Sequence, residues 1–234
     1  HVIRLVLSGN TDEDRVWDGN QGFAISALTS DGTLQPVQLG RHSLTWIGDS
    51  LTAGCWVAGR NPGEDYRGEA NYAAVASDLL NSRNVRIAYS AVGLQKPGTG
   101  GVPVLPDALT AIDATTPWQP VPTDLVVINV GTNDRKLDDT AFTIVFRRFL
   151  NQVQRLYPNS RLAVLVPFNQ AFATVIRAVT AEFMQIELIE TATWYPSTTD
   201  DVHLDLAGSQ LAGEVLAQEL TTRYATLFSG EPQR

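Results

Sequence analysis

Three short stretches, far apart in the chain, hold the residue types that acyl transfer needs. "WIGDSLTAG" (46–54) places Ser50 after a Gly-Asp pair. "GTND" (131–134) holds Asn133, and "TTDDVHLD" (198–205) holds Asp200, Asp201 and His203. A serine hydroxyl is a weak nucleophile at neutral pH and needs a base in contact. Histidine titrates in the right range. Its second ring nitrogen needs an orienting group, and Asp200, three residues before His203, can reach it within one turn of chain. Attack on an ester carbonyl puts negative charge on oxygen, which calls for preorganised donors. The Asn133 amide and the Ser50 N–H can supply two, and a glycine N–H a third, since glycine lets the backbone come close.

These residues meet only if the intervening elements bring them to one place. From residue 44 onward, apolar runs alternate with helical stripes. The runs predict strands at 44–47, 85–90, 125–130, 161–166 and 185–189, several of them nearly continuous, as in a parallel sheet covered on both faces. Residues 140–157 predict the clearest helix, with Phe142, Val145, Phe146, Phe149, Val153 and Leu156 on one stripe. Tyr72, Val75, Ala76, Leu79 and Leu80 mark a second, and residues 206–226 a third. Such alternation implies right-handed crossovers and a doubly wound sheet, whose ligands bind beyond the carboxyl ends of the strands. Ser50, Asn133 and His203 each follow a predicted strand, so their loops open on one edge. The stretch 93–122 reads as a long loop, a length that is often functional. Residues 1–40 have another texture: "HVIRLVL" and "GFAISAL" read as short strands between turns.

Bulk properties narrow the partners. The chain of 234 residues is 44% hydrophobic with a net charge of −8, enough for one substantial core and repellent to phosphate backbones. Nucleic acid is therefore a poor partner, and neutral or cationic substrates are easier to accommodate. With one cysteine, Cys55, no intrachain disulfide can form. No apolar run reaches a membrane-spanning length. No His/Cys/Asp cluster has metal-ligand spacing and no phosphate loop is present, so neither a metal nor a cofactor is expected.

The blocks "GDSLTAG", "GTND" and "DDVH", in this order, resemble those of the SGNH (GDSL) hydrolase superfamily. The resemblance implies a flavodoxin-like three-layer α/β/α fold with a five-stranded, mainly parallel sheet, and ester hydrolysis through an acyl-serine. Ser50 matches the nucleophile, Asn133 the oxyanion asparagine, and Asp200 and His203 the Asp-x-x-His pair. Its oxyanion glycine falls on Gly93, with Gly98 as the alternative. Asp201 stands where the family often has glycine, which leaves Asp200 and Asp201 both open as the partner of His203.

A narrower likeness covers more of the chain. "HVIRLVL…GFAISALTSDGTLQP" followed by "LTWIGDSLTAG", and "GVPVLP…PW…DLVVINVGTND", resemble the two-domain carbohydrate esterase family 2. Those enzymes carry a β-sandwich ahead of the hydrolase domain and remove acetyl groups from polysaccharides. The likeness implies a sandwich-derived β segment at 1–40, a hydrolase domain at 41–234, a carbohydrate acyl ester as substrate, and a secreted or periplasmic setting. Some members orient the histidine without a carboxylate. A lipase or thioesterase, an acyltransferase and an inactive carbohydrate-binding module are the alternatives.

Taken singly, each motif has a plainer explanation as a turn or a cap. Their order and their positions at strand ends favour the catalytic reading. Asp49 and Asp134 read as residues that bind backbone N–H groups beside tight turns. Cys55 and Trp56 read as helix packing. Trp118 and Trp194, in loops near the expected cleft, suit either sugar stacking or loop anchoring.

Overall fold

A computed structural model describes residues 3, 5–9, 12, 14–19, 21, 25–37 and 39–228. Five strands form one sheet: β1 (His42–Gly48), β2 (Ser82–Ala88), β3 (Leu125–Asn129), β4 (Arg161–Leu165) and β5 (Ile186–Ile189). Every pairing is parallel, and the order is β2-β1-β3-β4-β5. This is the flavodoxin-like order, with its switch point between β1 and β3.

Alternation along the strands sends side chains to two cores. Ile47, Val126, Ile128 and Val164 point to one face, where α3 (Leu105–Ala108), α4 (Asp139–Leu156) and α5 (Ala173–Thr180) cover them. Leu44, Trp46, Leu125, Val127 and Leu165 point to the other, beneath α2 (Tyr72–Leu79) and α6 (Leu206–Arg223). The result is the three-layer α/β/α sandwich. The predicted stripe of α4 is buried at Phe142, Phe146, Phe149 and Val153, with Leu150 added; Val145 and Leu156 pack at its margin. Each such side chain contributes about 1.5–3 kcal/mol by leaving water.

Two elements differ from expectation. β2 begins at Ser82, three residues early, because the polar stretch Ser82–Asn84 pairs with His42–Leu44. As an edge strand it buries only part of its length, so its apolar pattern is broken. The predicted last helix ends at Arg223, and a separate turn, α7 (Ala225–Phe228), follows. The expected loop 93–122 contains α3, which buries Leu105 and Ala108.

The strands expected at 1–7 and 22–28 fall partly outside the described residues. Their described residues form no strand, and none before His42 does. The segment instead lies on the domain through single contacts: Gly68 N–H donates to Ser8 O (2.7 Å) and Trp17 N–H to Gly100 O (3.0 Å). Without a ladder partner, Leu5, Ile25 and Leu28 stand exposed.

Candidate active site

The turn that carries Ser50 begins where β1 ends. Asp49 caps α1 (Ser50–Ala53), accepting the Leu51 N–H at 3.0 Å. Gly54 ends the turn in the left-handed region (φ 99°), and its N–H returns to Ser50 O. Glycine takes this conformation without the cost a side chain would add. From below, the Tyr72 hydroxyl joins Thr52 Oγ1 (2.7 Å) and Asn129 Nδ2 (3.1 Å), while Asn71 Nδ2 donates to Thr52 O (2.6 Å). The Ser50 turn is thus tied to both α2 and β3.

His203 arrives from the loop between β5 and α6. Its Nε2 lies 2.9 Å from Ser50 Oγ, although 153 positions separate them. Its Nδ1 lies 2.9 Å from Asp200 Oδ2. Asp200 Oδ1 also accepts the N–H groups of His203 (2.7 Å) and Val202 (3.2 Å). A carboxylate at Nδ1 places the ring proton there and leaves Nε2 free to accept from the serine hydroxyl. Burial opposes the charge on Asp200, but the His203 amide and imidazole outweigh it and hold the carboxyl below its usual range. The sequence left Asp200 and Asp201 open; in the structure the imidazole bonds to Asp200. Asp201 is exposed with φ 68°, a conformation glycine takes most readily and Asp tolerates.

Asn133 sits past β3 and donates one amide hydrogen to Val92 O (3.0 Å), which leaves its second available. In the structure both candidate glycine amides have backbone partners. Gly93 N–H already donates to Lys96 O (2.8 Å), and Gly98 N–H to Val102 O (2.9 Å). Gly93 meets a different requirement. A Cβ there would come within 2.6 Å of Asp134 Oδ1. Its absence lets the Asp134 carboxylate reach the N–H groups of Leu94 and Gln95, both at 2.9 Å. Asp134 therefore serves a neighbouring loop as well as its own turn.

The two tryptophans part ways. Trp118 donates its backbone N–H to Thr110 O, and its side chain packs against the core that holds α4, with no bond or ring contact to the relay among the described residues. Trp194 packs toward the other core, 6.1 Å from the Phe168 ring, which in turn meets Tyr72. Trp56, read from sequence as helix packing, instead lies against His203, ring centroids 5.0 Å apart. Its place six residues after the serine, past a glycine turn, was the available signal.

Among the described residues no group of three His, Cys, Asp or Glu side chains is placed to hold a metal ion. No described helix is long and apolar enough to cross a membrane. A cavity of about 500 Å³ lies between residues 5–9, Asp12, Asp14 and Val16 on one side and β2 on the other, bordered by Tyr66, Arg86 and Tyr89; none of the relay residues lines it.

Residues 46–211 match the model of the GDSL-like lipase/acylhydrolase family. The chain belongs to this family. As a member it is a carboxylic ester hydrolase. No curated protein matches it in sequence. Among solved structures, it resembles a family two carbohydrate esterase from Clostridium thermocellum in complex with cellohexaose. The TM-score is 0.69 at 22% identity, over 82% of this chain and 67% of that one. An acetyl xylan esterase from the rumen bacterium Butyrivibrio proteoclasticus gives 0.66 at 17%, over 84% and 68%. An aryl esterase from M. smegmatis gives 0.60 at 21%, over 77% and 99%. These likenesses establish the shared fold.

The GDSL-block aspartate has a measurable consequence. Asp49 is wholly buried, its Oδ2 has no partner among the described residues, and burial pushes its carboxyl up to about 7. Its unfolded value is near 3.9. Between the two the folded state holds the extra proton, so stability falls as pH rises from about 4 to 7 and levels off above. Asp134, also raised by burial, acts in the same direction. Asp49→Asn is therefore expected to flatten part of the decline. Thermal midpoints of both proteins from pH 5 to pH 8 test this, and parallel curves would refute it.

Proposed function

We propose that the chain is a serine esterase that removes short acyl groups, acetyl above all, from carbohydrate through an acyl–Ser50 intermediate. The observation that carries the reading is the unbroken relay from Asp200 through His203 to Ser50. His203 Nε2 takes the hydroxyl proton as Ser50 Oγ bonds to the acyl carbon. The carbonyl electron pair moves to oxygen, where the Ser50 N–H and the second amide hydrogen of Asn133 receive it. Collapse expels the alcohol, which regains a proton from His203. Water then enters by the same route, and the acid leaves.

Short acyl groups fit the surroundings. The loops at this edge, such as Gln95-Lys96-Pro97 and Arg135-Lys136, lack the apolar run a long acyl chain would need. The carbohydrate part is supported by the solved relatives named for it. A polysaccharide cannot cross a membrane intact, so this reading sets the chain in a secreted or periplasmic space.

The test is acetate release from acetylated xylan and glucomannan, beside a chain-length series of p-nitrophenyl esters. Turnover should peak at two to four carbons. A maximum at eight carbons or more would move the enzyme to the lipase or thioesterase side of the family. Failure of a fluorophosphonate to label Ser50, with no turnover of any ester, would leave a binding module in place of an enzyme.

A further inference from the structure

Trp56 has φ 57°, in the left-handed region that a bulky side chain rarely occupies. Such backbone persists where its surroundings over-determine it, and it gathers at functional sites. The surroundings of Trp56 are the loop of the base. Its carbonyl accepts the Thr199 hydroxyl at 2.8 Å. Thr199 N–H donates to His203 O at 2.8 Å, and Arg60 Nη2 donates to Thr199 O at 2.9 Å. The indole and imidazole ring centroids lie 5.0 Å apart, with their planes inclined by 57°. Residues 56–60, which leave the nucleophile turn, thus hold residues 199–203 from the side. The indole nitrogen is buried and has no partner among the described residues, so the rings, not the polar handle, make the contact.

We propose that Trp56 is a positioning residue for the base: its rings keep the His203 imidazole aligned on Ser50, and their face favours the charged imidazole. The proposal rests on Ser50, His203 and Asp200 being a working relay. Asp200 holds the ring at Nδ1 and Ser50 Oγ meets it at Nε2, while Trp56 packs beside the ring, away from both polar contacts. When Ser50 Oγ bonds to the acyl carbon, the O–H bond breaks and an N–H bond forms at Nε2. The carbonyl pair passes to oxygen, so positive charge appears on the imidazole as negative charge appears in the oxyanion site. A cation within about 6 Å of an indole centroid is attracted to its face. The attraction exists only while the ring is charged, so it acts on the transition state and not on bound substrate.

Trp56→Leu is therefore expected to lower kcat on p-nitrophenyl acetate about tenfold, equal to about 1.4 kcal/mol of barrier, with KM unchanged. Trp56→Phe should recover most of the loss. Trp56→Gly suits the left-handed backbone and should keep the fold while losing kcat as Leu does. If the Leu variant melts early, the Gly and Phe pair decides by the same criterion. Unchanged kcat in Leu and Gly, a change in KM alone, or a Phe variant as slow as Leu would each overturn the proposal. Ser50→Ala runs alongside. If it stays active, the relay itself has failed; if it is inert while the Trp56 variants are normal, only the role of Trp56 has.

Discussion

Ser50→Ala should lower kcat on p-nitrophenyl acetate by roughly ten-thousand- to million-fold and abolish labelling by a fluorophosphonate. The change removes one oxygen, the atom 2.9 Å from His203 Nε2. Nothing else in the turn depends on it. Asp49 still caps through the Leu51 N–H, and Gly54 still closes on the carbonyl of residue 50. Position 50 is only 5% exposed, and alanine fits the space that serine leaves. The lost hydrogen bond should cost about 1 kcal/mol of stability, too little to unfold the chain. A melting curve close to the parent's, with residual turnover from the Asn133 and Ser50 amides, is the expected pair of results. Normal turnover by the alanine variant would end the acyl-serine reading.

The second large effect is expected at Asp200. Asp200→Asn keeps an acceptor for the N–H groups of Val202 and His203, so the loop should hold its shape. It removes the charge and offers the imidazole an amide, which no longer dictates the tautomer. A loss of roughly ten-thousand-fold in kcat follows by analogy with other Asp–His–Ser relays. Asp200→Ala should lose as much in kcat and some stability besides, since two backbone donors lose their acceptor. Asp201→Ala should leave kcat near the parent's, because Asp201 is exposed and the imidazole bonds elsewhere. If Asp200→Asn stays within a few-fold of the parent, the histidine is held without its carboxylate. The Thr199 N–H on His203 O and the Trp56 ring would then be the remaining supports.

The relay was legible in the sequence because each member occupies the same kind of place. Ser50, Asn133 and His203 all follow parallel strands, and the strand order then guarantees a shared edge. Strands β1, β3 and β4 were legible because they are buried on both faces and read as apolar runs. β2 was less so, since an edge strand keeps polar residues that only pairing reveals. Helix α5 escaped because its N-cap is Phe172, itself left-handed (φ 53°), with no capping side chain to announce the helix. Gly93 lies just past β2, and its backbone bond to Lys96 is the part the sequence does not show. Its spacing matches an oxyanion glycine, yet the Lys96 carbonyl takes its N–H, and that turn leaves no mark on composition. Trp56 was misread for a related reason. Its place just after the serine turn suggests helix packing, whereas the left-handed residues Gly54 and Trp56 redirect the chain toward a loop 143 positions away.

The parallel order of the sheet has a temporal consequence. β1, which leads into Ser50, lies inside the sheet between β2 and β3 and is made first, while the imidazole belongs to the connection after β5. A ribosome must therefore complete nearly the whole domain before Ser50 meets its base. A nascent chain ending between Asn133 and β5 has Ser50 and Asn133 but lacks His203. It cannot acylate itself or cleave an ester on the way out. Activity during refolding should likewise appear late, with the closing of this long-range contact, rather than with the first helical signal.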